Sequence, residues 1–143
     1  MKIYLASRYS TKPLMEQYAA ELHEMGHEVT STWLTEPHPP NTQLGEVNPR
    51  LLAGYAATDM ADIRAADLLL FFSVEPTTPT VRGGRHVEFG YALGIEKPIL
   101  VVGPHENIFH YLQNVRRVEE WKDAKTILGN FASILSPLVP SGS

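Results

Sequence analysis

The sequence predicts an α/β fold built on a parallel sheet, and three observations carry that prediction. Leu68-Leu69-Leu70-Phe71-Phe72 and Pro98-Ile99-Leu100-Val101-Val102-Gly103 are continuous apolar runs, as expected of central strands buried on both faces. Segments with helical spacing alternate with strand-like runs along the chain, the pattern of βαβ units with right-handed crossovers. The length of 143 residues, 43% of them apolar, fits one domain with its own core, spanning residues 1–136.

The elements follow in order. Ile3-Tyr4-Leu5-Ala6 ends at small polar residues and reads as a buried strand. Lys12 to Met25 has helical spacing, with Leu14, Tyr18 and Leu22 on one face and Gly26 as the stop. His27 to Leu34 is rich in β-formers and predicts a second strand. Residues 37–49 read as loop, followed by a helix over Pro49–Ala65 and the strand Leu68–Phe72. A Pro/Thr-rich loop over Glu75–Arg82 leads to a helix over Gly84–Gly94, then the strand within Pro98–Gly103. A short helix near Asn107–Leu112, a weak strand at Arg117-Val118 and a helix over Trp121–Leu135 complete the fold. Residues 137–143 are a Pro/Ser/Gly-rich tail set aside from it.

Composition excludes several classes of function. With no cysteine there is no disulfide, thiolate nucleophile or Cys-based metal site, which fits a reducing, cytoplasmic compartment. A net charge of −4 provides no global field for a nucleic acid polymer, so an anion site must be local. No apolar run approaches the roughly 20 residues that cross a bilayer, and the first residues turn polar too soon for a signal peptide.

Parallel sheets bind ligands at the carboxyl ends of their strands. This directs attention to Ser7-Arg8, the Glu75–Arg82 loop and Gly103-Pro104-His105. In Arg82-Gly83-Gly84-Arg85-His86-Val87-Glu88, cationic side chains and free N–H groups at a helix start suit an anion. Glu88 is a carboxylate within an otherwise apolar helix, seldom buried without a task or a partner. Asp59 and Asp62 share a helical face, and Asp67 stands at the helix–strand junction. Tyr4 is either core or a hydroxyl at the site, and Ser7 and Arg8 end its strand where a phosphate would sit. His23-Glu24-Met25-Gly26-His27 matches H-E-x-x-H, but Gly26 breaks the helix that zinc chemistry requires. It reads as a solvated helix end, and neither metal nor cofactor is expected. Neither G-x-G-x-x-G nor a P-loop is present.

In order and spacing, Tyr4-Leu5-Ala6-Ser7, Asp59-Met60-Ala61-Asp62-Ile63-Arg64-Ala65-Ala66-Asp67 and Gly84-Arg85-His86-Val87-Glu88-Phe89-Gly90-Tyr91-Ala92-Leu93-Gly94 resemble the nucleoside 2-deoxyribosyltransferase superfamily. That group includes the 2′-deoxynucleoside 5′-monophosphate N-hydrolases, and the resemblance runs from residue 2 to about 135. It implies a flavodoxin/Rossmann-like three-layer fold with a five-stranded parallel sheet, and cleavage of an N-glycosidic bond. Glu88 would be the nucleophile at C1′, Asp59 would protonate the leaving base, and Tyr4 would orient Glu88. It also implies a homodimer or dimer-based assembly in which a neighbour completes the site with Asn107 or His110. Arg82 departs from the pattern: transferases acting on free nucleosides carry an acid at this position and nucleotide hydrolases a small hydroxyl residue. An arginine can pair with a 5′-phosphate, with Ser7, Arg8 and the Gly84 N–H as further donors. The expected activity is therefore hydrolysis of a (deoxy)nucleoside 5′-monophosphate. Base exchange between nucleosides and non-catalytic nucleotide sensing are the alternatives.

Overall fold

The computed structural model describes residues 1–36, 48–79 and 82–130. Strands β1 (Lys2–Ala6), β2 (Glu28–Val29), β3 (Leu68–Phe72), β4 (Ile99–Val102) and β5 (Val115–Val118) form one sheet in the order β2-β1-β3-β4-β5. Every neighbouring pair is parallel. Helices α1 (Lys12–Glu24), α2 (Pro49–Ala65), α3 (Gly84–Gly94) and α4 (Trp121–Leu128) connect or follow these strands. This is the flavodoxin-like order, whose topological switch point lies between β1 and β3.

The pleat divides the core into two layers. Phe71 meets Phe89 of α3 at 5.3 Å between ring centroids. Its neighbour Phe72 meets Tyr18 of α1 and Trp121 of α4, at 5.7 and 6.0 Å. So α2 and α3 cover one face, and α1 and α4 the other. Ile3, Tyr4, Leu5, Leu68, Leu70 and Phe71 are fully buried, as two-sided coverage of a parallel sheet requires.

Three expectations need correction. The second strand is only two residues long, not eight. Beyond it, Ser31 Oγ accepts the Leu5 N–H at 2.7 Å and the Trp33 indole donates to the Leu5 carbonyl at 2.9 Å. Asp62 then accepts the Thr32 N–H at 2.9 Å, and Thr32–Leu34 coils into a 3-10 turn. Side-chain bonds replace the ladder, and tertiary context overrides β-propensity. In α1 the buried positions are Met15 and Leu22, while Leu14 is 43% exposed. The last helix closes at Leu128 with Gly129 as its C-cap, where the expectation ran on, and residues 131–135 of that expected helix lie outside the described residues. The 37–47 loop, residues 80–81, and the tail over 137–143 lie outside the described residues.

The H-E-x-x-H segment divides where expected. Gly26 adopts φ +89°, its N–H bonds the His23 carbonyl at 2.9 Å, and the His27 N–H bonds the Leu22 carbonyl at 3.0 Å. This is a Schellman stop. The His27 ring is buried, accepting from the Met1 nitrogen at 3.0 Å and donating to the Leu128 carbonyl at 3.1 Å. No helix among the described residues is long and apolar enough to cross a membrane.

Candidate active site

The switch point brings together three side chains that are far apart in sequence. Tyr4 points from β1 into the α2–α3 layer, fully buried, and its hydroxyl donates to Glu88 Oε2. Glu88 is on the second turn of α3, and Asp59 is on α2. The Glu88 and Asp59 charges both act on Tyr4, and the Asp59 charge acts on Glu88. Tyr4, Asp59 and Glu88 thus form one electrostatic unit.

Burial sets the chemistry of that unit. Withdrawal from water pushes Glu88 up to about 8; the Tyr4 hydrogen bond opposes this, and the Asp59 charge adds to it. Burial likewise raises Asp59 to about 7, reinforced by the charges of Glu36 and Asp62. Tyr4 is driven far above the ordinary phenol range, first by burial and then by the Glu88 charge, so it stays a hydrogen-bond donor. Both carboxyls titrate near neutrality, Glu88 the higher of the two, so in the free site a single proton rests on Glu88 and work by Glu88 as nucleophile requires that proton to pass to Asp59. Asp59 Oδ1 is buried with no hydrogen-bond partner among the described residues. Such an unmade bond costs about 1–3 kcal/mol, and a ligand can supply it.

The other expected residues are distributed around this unit. Arg82 is exposed and left-handed at φ 76°, followed by Gly83 at φ 68° and by Gly84, the first residue of α3. A non-glycine residue at positive φ stores backbone strain, which clusters at ligand sites. Ser7 and Arg8 lie at the same sheet edge but over the opposite face. They line a cleft of about 190 Å³ with Tyr18, Phe72 and Trp121, which none of Tyr4, Asp59 or Glu88 lines. Ser7 Oγ is paired with Thr11 Oγ1 at 2.7 Å.

Asn107 caps the 3-10 turn Ile108–Tyr111, accepting the Phe109 N–H at 2.9 Å. His110 does not project outward as a residue entering a neighbour's site must. It is 1% exposed, between Phe71 and Phe89 at 5.0 Å each, and burial lowers its pKa to about 4. Of the other aspartates, Asp62 caps the Thr32 turn and Asp67 accepts the Lys2 N–H at 2.8 Å.

Glu36 and Glu106 carried no expectation in the sequence, and Arg85, read there among the cations of an anion site, is instead committed to a carboxylate of its own chain. Arg85 is 4% exposed and makes a two-pronged pair with both Glu106 oxygens at 2.6 Å. A detectable signal was present: Arg85 is four residues before Phe89, on the buried face of α3, where an arginine needs a partner.

No family model matches the sequence, and no curated protein does. Solved structures do match. The 2-deoxyribosyltransferase of the psychrotolerant bacterium Bacillus psychrosaccharolyticus is 21% identical, with a TM-score of 0.64 over 87% of this chain and 90% of that one. The chain has the deoxyribosyltransferase fold. The CMP N-glycosidase of Clostridium botulinum is also 21% identical, with a TM-score of 0.53 over 92% of this chain and 99% of its own. A conserved protein of Enterococcus faecalis V583 is 12% identical, with a TM-score of 0.56 over 97% of this chain and 99% of its own. In this chain the switch point lies between β1 and β3, and the Tyr4–Asp59–Glu88 unit stands there.

Proposed function

We propose that this protein is an N-glycosidase acting on a (deoxy)nucleoside 5′-monophosphate. The observation that carries this reading is the buried unit of two neutral-titrating carboxyls and a tyrosine at the switch point. In its ionised form Glu88 attacks C1′ as the C–N bond breaks and its electron pair leaves with the base. Asp59 gives its proton to a base nitrogen. The glycosyl ester on Glu88 is then opened by water at C1′; Asp59 accepts the water's proton and Glu88 leaves as carboxylate. This is the division of labour of retaining glycosidases. Tyr4 holds Glu88 in place through its hydrogen bond.

Arg82 is the group we assign to the 5′-phosphate, beside the first N–H groups of α3, where the helix dipole favours an anion. The resemblance in fold to a CMP N-glycosidase supports a nucleotide substrate. Base exchange is the second reading, supported by the fold match to a 2-deoxyribosyltransferase; there, a second base replaces water at the same ester.

Self-association belongs to the same proposal. Ile108, Phe109 and Tyr111 expose 78%, 53% and 69% of their surfaces on one short turn, and contiguous exposed apolar groups mark contact surfaces. Asn107 opens that turn and is the residue we assign to a neighbour's site in preference to His110, which packs inside its own chain.

The deciding experiment incubates the protein with a panel of deoxynucleoside and nucleoside monophosphates, and separately with deoxynucleosides plus an acceptor base. Free base from a monophosphate without acceptor supports hydrolysis. Exchange confined to unphosphorylated nucleosides overturns it.

A further inference from the structure

One carboxylate outside the catalytic unit collects three chain segments. Glu106 lies just beyond β4. It accepts both arms of the Arg85 guanidinium at 2.6 Å, the Val74 N–H just beyond β3 at 3.1 Å, and contacts His86 Nε2 at 3.2 Å. The Glu106 backbone N–H donates to His110 Nδ1 at 3.0 Å, and that ring packs against Phe71 and Phe89. Burial alone would raise Glu106, but the Arg85 and Val74 hydrogen bonds and the Arg85 and His86 charges hold it below the usual carboxylate range.

The pair is nearly dry: the Arg85 and Glu106 side chains are 3% and 9% exposed. A buried ion pair is a poor net stabiliser, because desolvation offsets most of its attraction. Its geometry does something else. Helix α3 starts from two left-handed residues, and Gly83 has no side chain to cap it. With no side-chain cap, the first turn is held locally only by backbone bonds from His86 and Val87 to the Gly83 carbonyl. Arg85 is on that turn, three residues before Glu88 and therefore on a neighbouring helix face. A planar fork held at both prongs fixes rotation about the helix axis as well as position.

We propose that Glu106, acting through Arg85, is a positioning residue for Glu88: it locks the rotation of α3 that keeps Glu88 against Tyr4. This rests on the glycosidase reading for its consequence in rate, but not for its geometry. Releasing the fork lets α3 turn, and a displacement of about 1 Å at a reacting group can cost about 10²-fold in rate.

The test uses the Arg85→Met/Glu106→Gln double variant, which leaves no unpaired buried charge and keeps an acceptor for the Val74 N–H. Glu106→Asp is the second variant. It keeps the charge but shortens the arm, and serves if the first does not fold. Thermal melts establish folding. The primary readout is the titration of the Glu88 carboxyl by 13C NMR in the folded protein, expected to move by ~1 unit from wild type. On the substrate found for the wild type, kcat is expected to fall about 10²-fold with KM little changed. An unchanged Glu88 titration in a folded variant overturns the positioning role, whatever the rate. Absence of base release by the wild type overturns the glycosidase reading instead, and leaves the titration to decide this one.

Discussion

At the residue scale, the site depends on where protons sit. In the proposed reaction Glu88 is ionised to attack and Asp59 protonated to assist the leaving base. Glu88→Gln is expected to lower kcat on the order of 10⁴-fold, and Asp59→Asn about 10²- to 10⁴-fold, both read by base release under single-turnover conditions. Tyr4→Phe removes the one hydrogen bond that lowers Glu88. The Glu88 pKa should then rise, moving the acid limb of the kcat/KM profile to higher pH while the protein stays folded. A limb that stays put would deny Tyr4 its role. Glu88, Asp59 and Tyr4 were legible in the sequence because a carboxylate in an apolar helix and motifs in a fixed order leave a trace. The Arg85–Glu106 fork was not: its partners are 21 residues apart and joined by a contact between loop and helix.

At the element scale, legibility followed the strength of local signals. The ranges Pro49–Ala65, Leu68–Phe72 and Gly84–Gly94 are as expected, each marked by an N1 proline, a continuous apolar run or glycines at its ends. The second strand stops at Val29, because beyond it Thr30 and Trp33, which have β-propensity, reach β1 through their side chains instead. Ser7 and Arg8 were placed at the correct edge, but strand alternation sends Ser7 to the α1 face, away from Tyr4. Gly103, at the end of β4, is a position where backbone geometry is exacting. Its φ is +120°, and an added Cβ would meet Ser73 Oγ at 2.5 Å and the Ser73 carbonyl oxygen at 3.1 Å. Gly103→Ala is expected to destabilise by about 1–3 kcal/mol, measured as a lower denaturant midpoint at constant m-value.

At the scale of the whole molecule, the raised carboxyls tie stability to pH. Glu88 and Asp59 ionise at about 8 and about 7 when folded, against about 4 in an unfolded chain. Between those values these two groups hold more protons when folded, so the stability they contribute is fully present below the unfolded pKa and is lost as pH rises toward 8, while His110 and Glu106, both lowered, act in the opposite sense on the acid side. Melting curves should show this decline, and Glu88→Gln should flatten it and stabilise the protein near pH 8 by about 0.5–2 kcal/mol. Analytical ultracentrifugation tests the exposed turn: Ile108→Ser/Phe109→Ser should shift the protein toward monomer and reduce base release, if the neighbour completes the site.

The sequence by itself determined the parallel α/β class and the three residues whose chemistry the proposal uses. Hydrophobic runs, glycine stops and an apolar-flanked carboxylate are local properties, readable without coordinates. Only the tertiary structure decided what those residues face. It placed the Tyr4 hydroxyl on Glu88, left Asp59 Oδ1 without a partner among the described residues, set Ser7 and Arg8 over the other face, and withdrew His110 into the core. It also disclosed the Glu106 fork. Burial and long-range pairing are properties of the packed chain, and the energies they set, from desolvation to buried charge pairing, have no counterpart in residue spacing.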